Sequence, residues 1–363
     1  MSLYDPLVIA ADPPVPDYGS SPQDPILKPA ISDAETLSLS IFEIVMRARR
    51  APETDHSRAA GTCVECQGPH LHKIKSAIAE NRAILFALPA FPGKSPNRQK
   101  VLGTLPDKAE ELALRFLNGL CERIQKIYPP GAQIKLCSDG RVFSDIVGIK
   151  ESDISEYQSE IKRIISDLNL SHLTTFALDD VDDAADFNGM RARLMSRYGE
   201  SREFLRERIL AGRSLDAGIE DQQAHRMYQG MIRFLNDDID QSTTTLSRAQ
   251  IHKDSKRRAM DLILRSNAWS RLIAEEFPEA VRLSIHPQGC GSSKIGIRLI
   301  NDEVWITPWH GVAVETVTGH VLMKRWEAEQ SGARLIVNAL GQPSHYRLQA
   351  DLADTVPGVM TCQ

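Results

Sequence analysis

Proline is unevenly distributed along this chain, and its distribution sets which elements can form where. Seven of the 20 prolines lie in the first 30 residues, and none lies between Gly131 and Phe277. Proline fixes φ and lacks a backbone donor, so the opening segment can hold neither a regular helix nor a central strand. Residues 1–35 therefore read as a proline-rich tail. The proline-free stretch can carry long elements. From Phe187 to Phe277 it is rich in Arg, Leu, Met, Ala and Glu with few β-branched runs, which predicts a helical cap or subdomain over 187–277.

Between these regions the pattern alternates. ISDAETLSLSIFEIVMRARR offers Ser32 with Glu35 three residues on, and apolar Leu37, Ile41, Ile44 and Val45 at helical spacing, so a helix should start near Ser32 or Thr36. A polar loop from Pro52 to Gly68 should precede a helix over LHKIKSAIAENR, then a buried strand over AILFALPAF. DKAEELALRFLNGLCERIQKIY predicts another helix and QIKLCSD another strand. The expected fold over 36–186 is α/β, a mostly parallel sheet flanked by helices, with ligands bound in loops at the carboxyl ends of its strands. After Pro278 the segments AVRLSIHP, KIGIRLI, VWITPWHGVAVE and GHVLMKRW predict short strands over 278–363 that complete the site.

With 42% hydrophobic and 25% charged residues, a chain of 363 residues can bury an adequate core in one large or two modest domains. Its six cysteines are too sparse for a secreted disulfide framework. The N-terminus lacks the basic, then apolar, pattern of a signal peptide, and no later run is apolar enough to span a bilayer. A cytoplasmic protein with no membrane partner is expected. A net charge of −5 argues against a nucleic-acid binder and leaves a small, anionic partner as the better expectation.

Three clusters could carry chemistry. Lys94, Ser95, Asn97, Arg98 and Lys100 follow the first buried strand in FPGKSPNRQK and suit a phosphate or carboxylate, although the segment is neither a Walker loop nor a dinucleotide turn. The bland alternative is a solvated basic loop. Asp139, Arg141 and Asp145 surround a glycine after the second strand, either as an oriented arginine with a general base or as an Asx turn with a structural ion pair. His286, Lys294, Arg298 and His310 form the third cluster, with Lys294 and Arg298 on one face of a strand. Cys63, Cys66, His70 and His72 have the look of a zinc site, with two thiolates and imidazole ligands, but their spacing is shorter than in classical fingers, and a reduced pair in a polar loop is the better expectation.

The segments LPAFPGKSPNRQKVLGTLPDKAEELAL, YPPGAQIKLCSDGRVFSDIVGI, IHPQ, KIGIRLI and TPWHGV together resemble the isocyanide (isonitrile) synthase family of pyoverdine and dityrosine biosynthesis, from about Phe42 to Trp326. The resemblance implies a Rossmann-like fold and an enzyme that converts the α-amino group of L-tyrosine or L-tryptophan to an isocyano group. The added carbon would be C2 of ribulose 5-phosphate, and a carbon–carbon bond of the sugar would break. No metal or redox cofactor is implied, and the product would pass to an iron- and 2-oxoglutarate-dependent oxygenase. On that reading Lys94, Arg98 and Lys100 grip phosphate, Asp139, Asp145, His286 and His310 are candidate proton shuttles, and Lys294 or Arg298 neutralises a carboxylate or oxyanion. A sugar-phosphate lyase without an amino-acid substrate, or a non-catalytic small-molecule or zinc-binding protein, are the alternatives.

Overall fold

The computed structural model describes residues 31–50, 63–182, 186–239, 244–300 and 306–348. The opening tail, most of the polar loop and Trp305 lie outside these residues. Helix α1 (Ile31–Met46) forms where a helix is expected, but it already includes Ile31, so Ser32 lies within its first turn rather than capping it. Helix α2 (Val64–Ala79) starts earlier than expected, and CVECQGPHLH lies on its first turns rather than in a loop. Pro69 lies inside the helix, past the first turn, and so supplies no amide to the Glu65 carbonyl four residues earlier.

Strands β1 (Ile84–Pro89), β2 (Ala132–Ser138), β3 (Leu173–Ala177), β4 (Val281–Ser284) and β5 (Ile295–Gly296) form one sheet in the order β3-β2-β1-β4-β5, with every pairing parallel. Helices cover both faces, and the two-residue period of each strand divides the core between them. Ile84, Phe86 and Leu88 of β1 and Ile134 and Leu136 of β2 pack with α1, α2, α3 (Lys108–Gln125) and α5 (Glu151–Asp167). Ala87 and Cys137 face the other way, against α4 (Gly140–Val147), α6 (Phe187–Tyr198) and the second half of α9 (Arg248–Glu276). There Trp269 stacks on Phe176 with ring centroids 5.6 Å apart. The predicted helical cap is α6, α7 (Arg202–Ala211), α8 (Ile219–Asp237) and α9; the first half of α9 packs on α7 and α8, while its second half reaches the sheet.

Two local expectations differ from the structure. SDGRVFSD is helix α4 rather than a loop, because Val142, Phe143 and Ile146 repeat at helical spacing, with Val142 and Phe143 packed in the core against the sheet and Ile146 buried. KIGIRLI is a strand only at Ile295–Gly296; beyond it the chain leaves β4 and runs beside the end of α1, where the Arg298 amide donates to the Ala48 carbonyl at 2.9 Å. A second sheet, β7-β6-β9-β8, is built from β6 (Val312–Thr316), β7 (Gly319–Met323), β8 (Arg334–Val337) and β9 (Pro343–Arg347), with α10 (Arg325–Gln330) between β7 and β8.

The turn from β2 into α4 depends on Gly140. A Cβ there would lie 1.8 Å from the Pro92 carbonyl oxygen, which belongs to the backbone of the β1 loop and cannot swing aside. Gly140→Ala is expected to cost at least about 3 kcal/mol, since the whole β1 loop must move to admit a methyl group. Urea denaturation checks this, and a variant as stable as the parent would contradict it.

Candidate active site

The chain runs from β1 outward to β3 and then returns to β4 on the other side of β1, so strand order reverses between β1 and β4. In an open parallel sheet the crevice at the carboxyl ends of such a pair is the usual ligand site. Three sequence-predicted groups leave the sheet at this end: the loop after β1, Asp139 after β2 and His286 after β4.

The loop after β1 is buried rather than solvated. Lys94, Ser95, Asn97 and Lys100 are all buried, and Arg98 alone of the predicted group is exposed. The Ser95 amide donates to the Trp309 carbonyl at 2.8 Å, which ties the loop to the 3-10 turn Pro308–His310. The Lys94 ammonium donates to the Pro308 carbonyl at 3.1 Å and contacts the carboxylates of Asp107 and Glu110 at 2.8 Å each. These two acids also form the capping box of α3. Burial works against the ammonium, but the two carboxylates outweigh it and hold the Lys94 pKa above the usual lysine value. Burial pushes Glu110 up to about 7 despite Lys94, and Tyr157 donates to its other oxygen at 3.1 Å. One hydrogen bond and two close ion pairs thus fix Lys94, and with it the loop.

A residue that sequence reasoning missed completes this half of the site. Asp238, the C-cap of α8, accepts from Ser95 Oγ at 2.6 Å and from the Lys100 ammonium at 3.0 Å, and Asn97 Nδ2 donates to the adjacent Asp237 carbonyl at 3.0 Å. Through these bonds the cap closes over the β1 loop. His310 Nε2 lies 3.9 Å from the second Asp238 oxygen, too far for a hydrogen bond, and its Nδ1 pairs with Thr307 Oγ1 at 3.0 Å. Burial lowers His310 to about 4, so the imidazole is neutral near pH 7. Burial opposes the Asp238 charge, and His310, Lys100 and Ser95 together hold its pKa below the usual aspartate value. With His310 neutral, Lys100 and Ser95 carry that task at pH 7.

The other half is cationic. Lys294 is half-buried, its ammonium has no hydrogen bond or ion pair among the described residues, and burial, aided by the Arg282 charge, lowers its pKa to about 8. Arg282 is buried and donates to the Ser270 carbonyl at 3.0 Å. His286 keeps an exposed surface while crowding by protein lowers its pKa, helped by the charges of Arg50 and Lys294; a residue lining a cleft has this combination. His286 and His310 are close enough for the charge of one to act on the other. Asp139 presents an Oδ1 that is shut off from solvent and has no hydrogen-bond partner, and burial raises its pKa to about 7.

The remaining predicted residues lie elsewhere in the network. Asp145 pairs with Arg265 at 2.9 Å; burial pushes its carboxyl up, but Arg265 and Arg191 hold it below the usual range. Arg141 pairs with Glu151 at 2.7 Å and Asp179 at 3.1 Å, locking α4 to α5 and to the turn after β3. Arg298 and Lys294 do not share a strand face: the Arg298 guanidinium donates to the Arg47 carbonyl at 2.6 Å, at the end of α1. His70 is buried against Phe42, and His72 is exposed on α2.

A family model described as pyoverdine/dityrosine biosynthesis protein matches residues 74–336. The chain belongs to that family. Among its relatives, the L-tyrosine isonitrile synthase of Pseudomonas aeruginosa is 42% identical over 332 residues, covering 89% of this chain and 98% of that protein. The L-tryptophan isonitrile synthase AmbI2 of Fischerella ambigua is 39% identical over 317 residues, covering 87% of this chain and 93% of that one. The crystal structure of the PvcA protein from Pseudomonas aeruginosa superposes with a TM-score of 0.78 at 40% identity, over 86% of this chain and 100% of that one. The β1 loop, Asp139, Asp238, Arg282, His286, Lys294 and His310 all fall inside the span that the family model matches. Among the described residues no helix is long and apolar enough to cross a membrane.

Proposed function

We propose that this protein is an isonitrile synthase that converts the α-amino group of L-tyrosine or L-tryptophan to an isocyano group, taking the carbon from C2 of ribulose 5-phosphate. Near-full-length similarity to tyrosine and tryptophan isonitrile synthases carries this reading. The cationic side chains at this end of the sheet support it, because each substrate carries an anionic group, the phosphate of the sugar and the carboxylate of the amino acid. Lys294 and Lys100 are the proposed contacts to the sugar phosphate or the amino-acid carboxylate, each having donors not committed to protein. His286, His310 and Asp139 are the proposed proton shuttles for condensation of the amine with the C2 ketone and for the enolisation and carbon–carbon cleavage that follow. The Asp139 carboxyl, raised to about 7, can take or give a proton near neutrality, and the neutral His310 imidazole is in the base form that an acceptor needs. Lys94, Ser95, Asn97 and Asp238 position the loop.

Incubation with each amino acid and ribulose 5-phosphate tests the reading. An isocyano product from either amino acid supports it, whereas turnover of the sugar phosphate alone would make the protein a lyase. Competition between the two amino acids then ranks them.

Lys294 gives this proposal a pH signature. Its ammonium loses its proton above pH about 8, so the KM of the anion that it holds is expected to rise through that pH. Lys294→Arg, which stays charged, should flatten the rise. Lys294→Gln should raise KM roughly 10- to 150-fold below pH 8, the worth of one charge-assisted hydrogen bond. A KM that is independent of pH and of both substitutions would remove Lys294 from the site.

A further inference from the structure

Three cysteine thiols converge at the start of α2, outside the site described above. Cys63 is the N-cap of α2 and Cys66 is its third residue. Cys290 comes from the connection between β4 and β5, and its Sγ lies 3.1 Å from Cys63 Sγ and 3.0 Å from Cys66 Sγ. All three sulfurs lie within 4.8 Å of one another; Cys66 is buried and the other two are half-buried. Cysteines placed for a disulfide pair off, whereas Cys290 is as close to one member of the Cys63–Cys66 pair as to the other.

We propose that Cys63, Cys66 and Cys290 supply three thiolate ligands to one zinc ion. Zinc–sulfur bonds of about 2.3 Å at tetrahedral angles separate sulfurs by about 3.8 Å, so the thiols need to open by less than an ångström from their present spacing. Three thiolates suit zinc rather than a hard cation such as magnesium or calcium. The amides at the N-terminus of α2 favour the anionic sulfurs. Binding exchanges up to three thiol protons for the ion and involves no change of oxidation state. The ion is structural: it clips the β4–β5 connection, which carries His286 at its start and Lys294 at its end, onto α2. Arg49 and Arg50 already brace this connection through the Gln288 carbonyl at 2.9 Å and the Ile285 carbonyl at 2.8 Å.

This inference is independent of the proposed chemistry, and its test does not use activity. Untagged full-length protein, purified under reducing conditions from zinc-supplemented cells, should contain about one zinc per chain. After the metal is stripped, titration with Co²⁺ alone should produce thiolate-to-cobalt charge-transfer absorption that saturates near one equivalent. Cys290→Ser should lose most of the zinc and the charge-transfer band. Should that variant fail to fold, the cobalt titration of the parent chain decides the matter. Reduced parent protein that carries no zinc and gives no such band would overturn the proposal, as would a disulfide joining Cys290 to either partner in freshly isolated protein.

Discussion

Asp238→Ala is expected to cost about 3–5 kcal/mol of folding stability and to reduce kcat/KM on the order of 100-fold. The carboxylate is buried and receives both the Ser95 hydroxyl and the Lys100 ammonium, so its removal leaves a buried cation without its partner. The kinetic loss follows from position: Asp238 holds the cap against the β1 loop, and loosening that closure moves Lys100 and His310 relative to each other. Asp238→Asn separates the two effects. Its carbonyl oxygen still accepts from Ser95, so the loop stays closer to its place, while Lys100 loses its counter-charge. The asparagine variant should therefore recover stability more than it recovers kcat/KM. Denaturant unfolding with steady-state kinetics checks both; an alanine variant with parental kcat/KM would place the catalytic crevice elsewhere.

Lys94→Ala should be comparably severe for a different reason. Asp107 and Glu110 would then face each other in a buried site with no cation, again a loss of about 3–5 kcal/mol. The pH dependence identifies the cause. A buried carboxyl with a raised pKa favours the folded state when protonated, and the benefit is lost as the pH rises towards its folded-state value. The Glu110 carboxyl is already pushed up to about 7 with Lys94 present, and rises further without it. Parent and variant respond alike between the ordinary glutamate value of 4.5 and about 7, so the extra destabilisation should develop as the pH rises above about 7 and level off below it. Lys94→Met combined with Glu110→Gln should recover part of the loss at pH 7, because it removes the ammonium and one of the two charges it neutralises. A Lys94→Ala variant within about 0.5 kcal/mol of the parent would mean that the ion cluster does not hold the loop.

The fold was legible in the sequence where local pattern decides it. The apolar run of β1, the alternation of β2, the first helix and the proline-free helical stretch all appear in the structure. Local pattern misled where tertiary packing competes with it. Asp139-Gly140 has the composition of a turn, yet the apolar residues that follow pack on the sheet and make it a helix start. KIGIRLI alternates like a strand, but only two of its residues find a partner in β5's place beside β4.

The candidate site was legible as residue types but not as partnerships. Lys94 was recognisable as a cation after a strand, but its neutralisation by the α3 capping box was not, although Asp107 and Glu110 have the spacing of such a box. Asp238 gave no local signal, because it meets Ser95 across 143 residues of chain. Likewise, nothing near Cys63 and Cys66 pointed to a thiol 224 residues beyond Cys66.

The most direct measurement of the central claim follows the carbon. The purified protein is supplied with ribulose 5-phosphate isotopically labelled at C2, together with L-tyrosine or L-tryptophan, and the product is analysed by mass spectrometry and carbon NMR. The account predicts an isocyano product from at least one amino acid, with the label in the isocyano carbon. Label that stays in sugar fragments while both amino acids are recovered intact would contradict it.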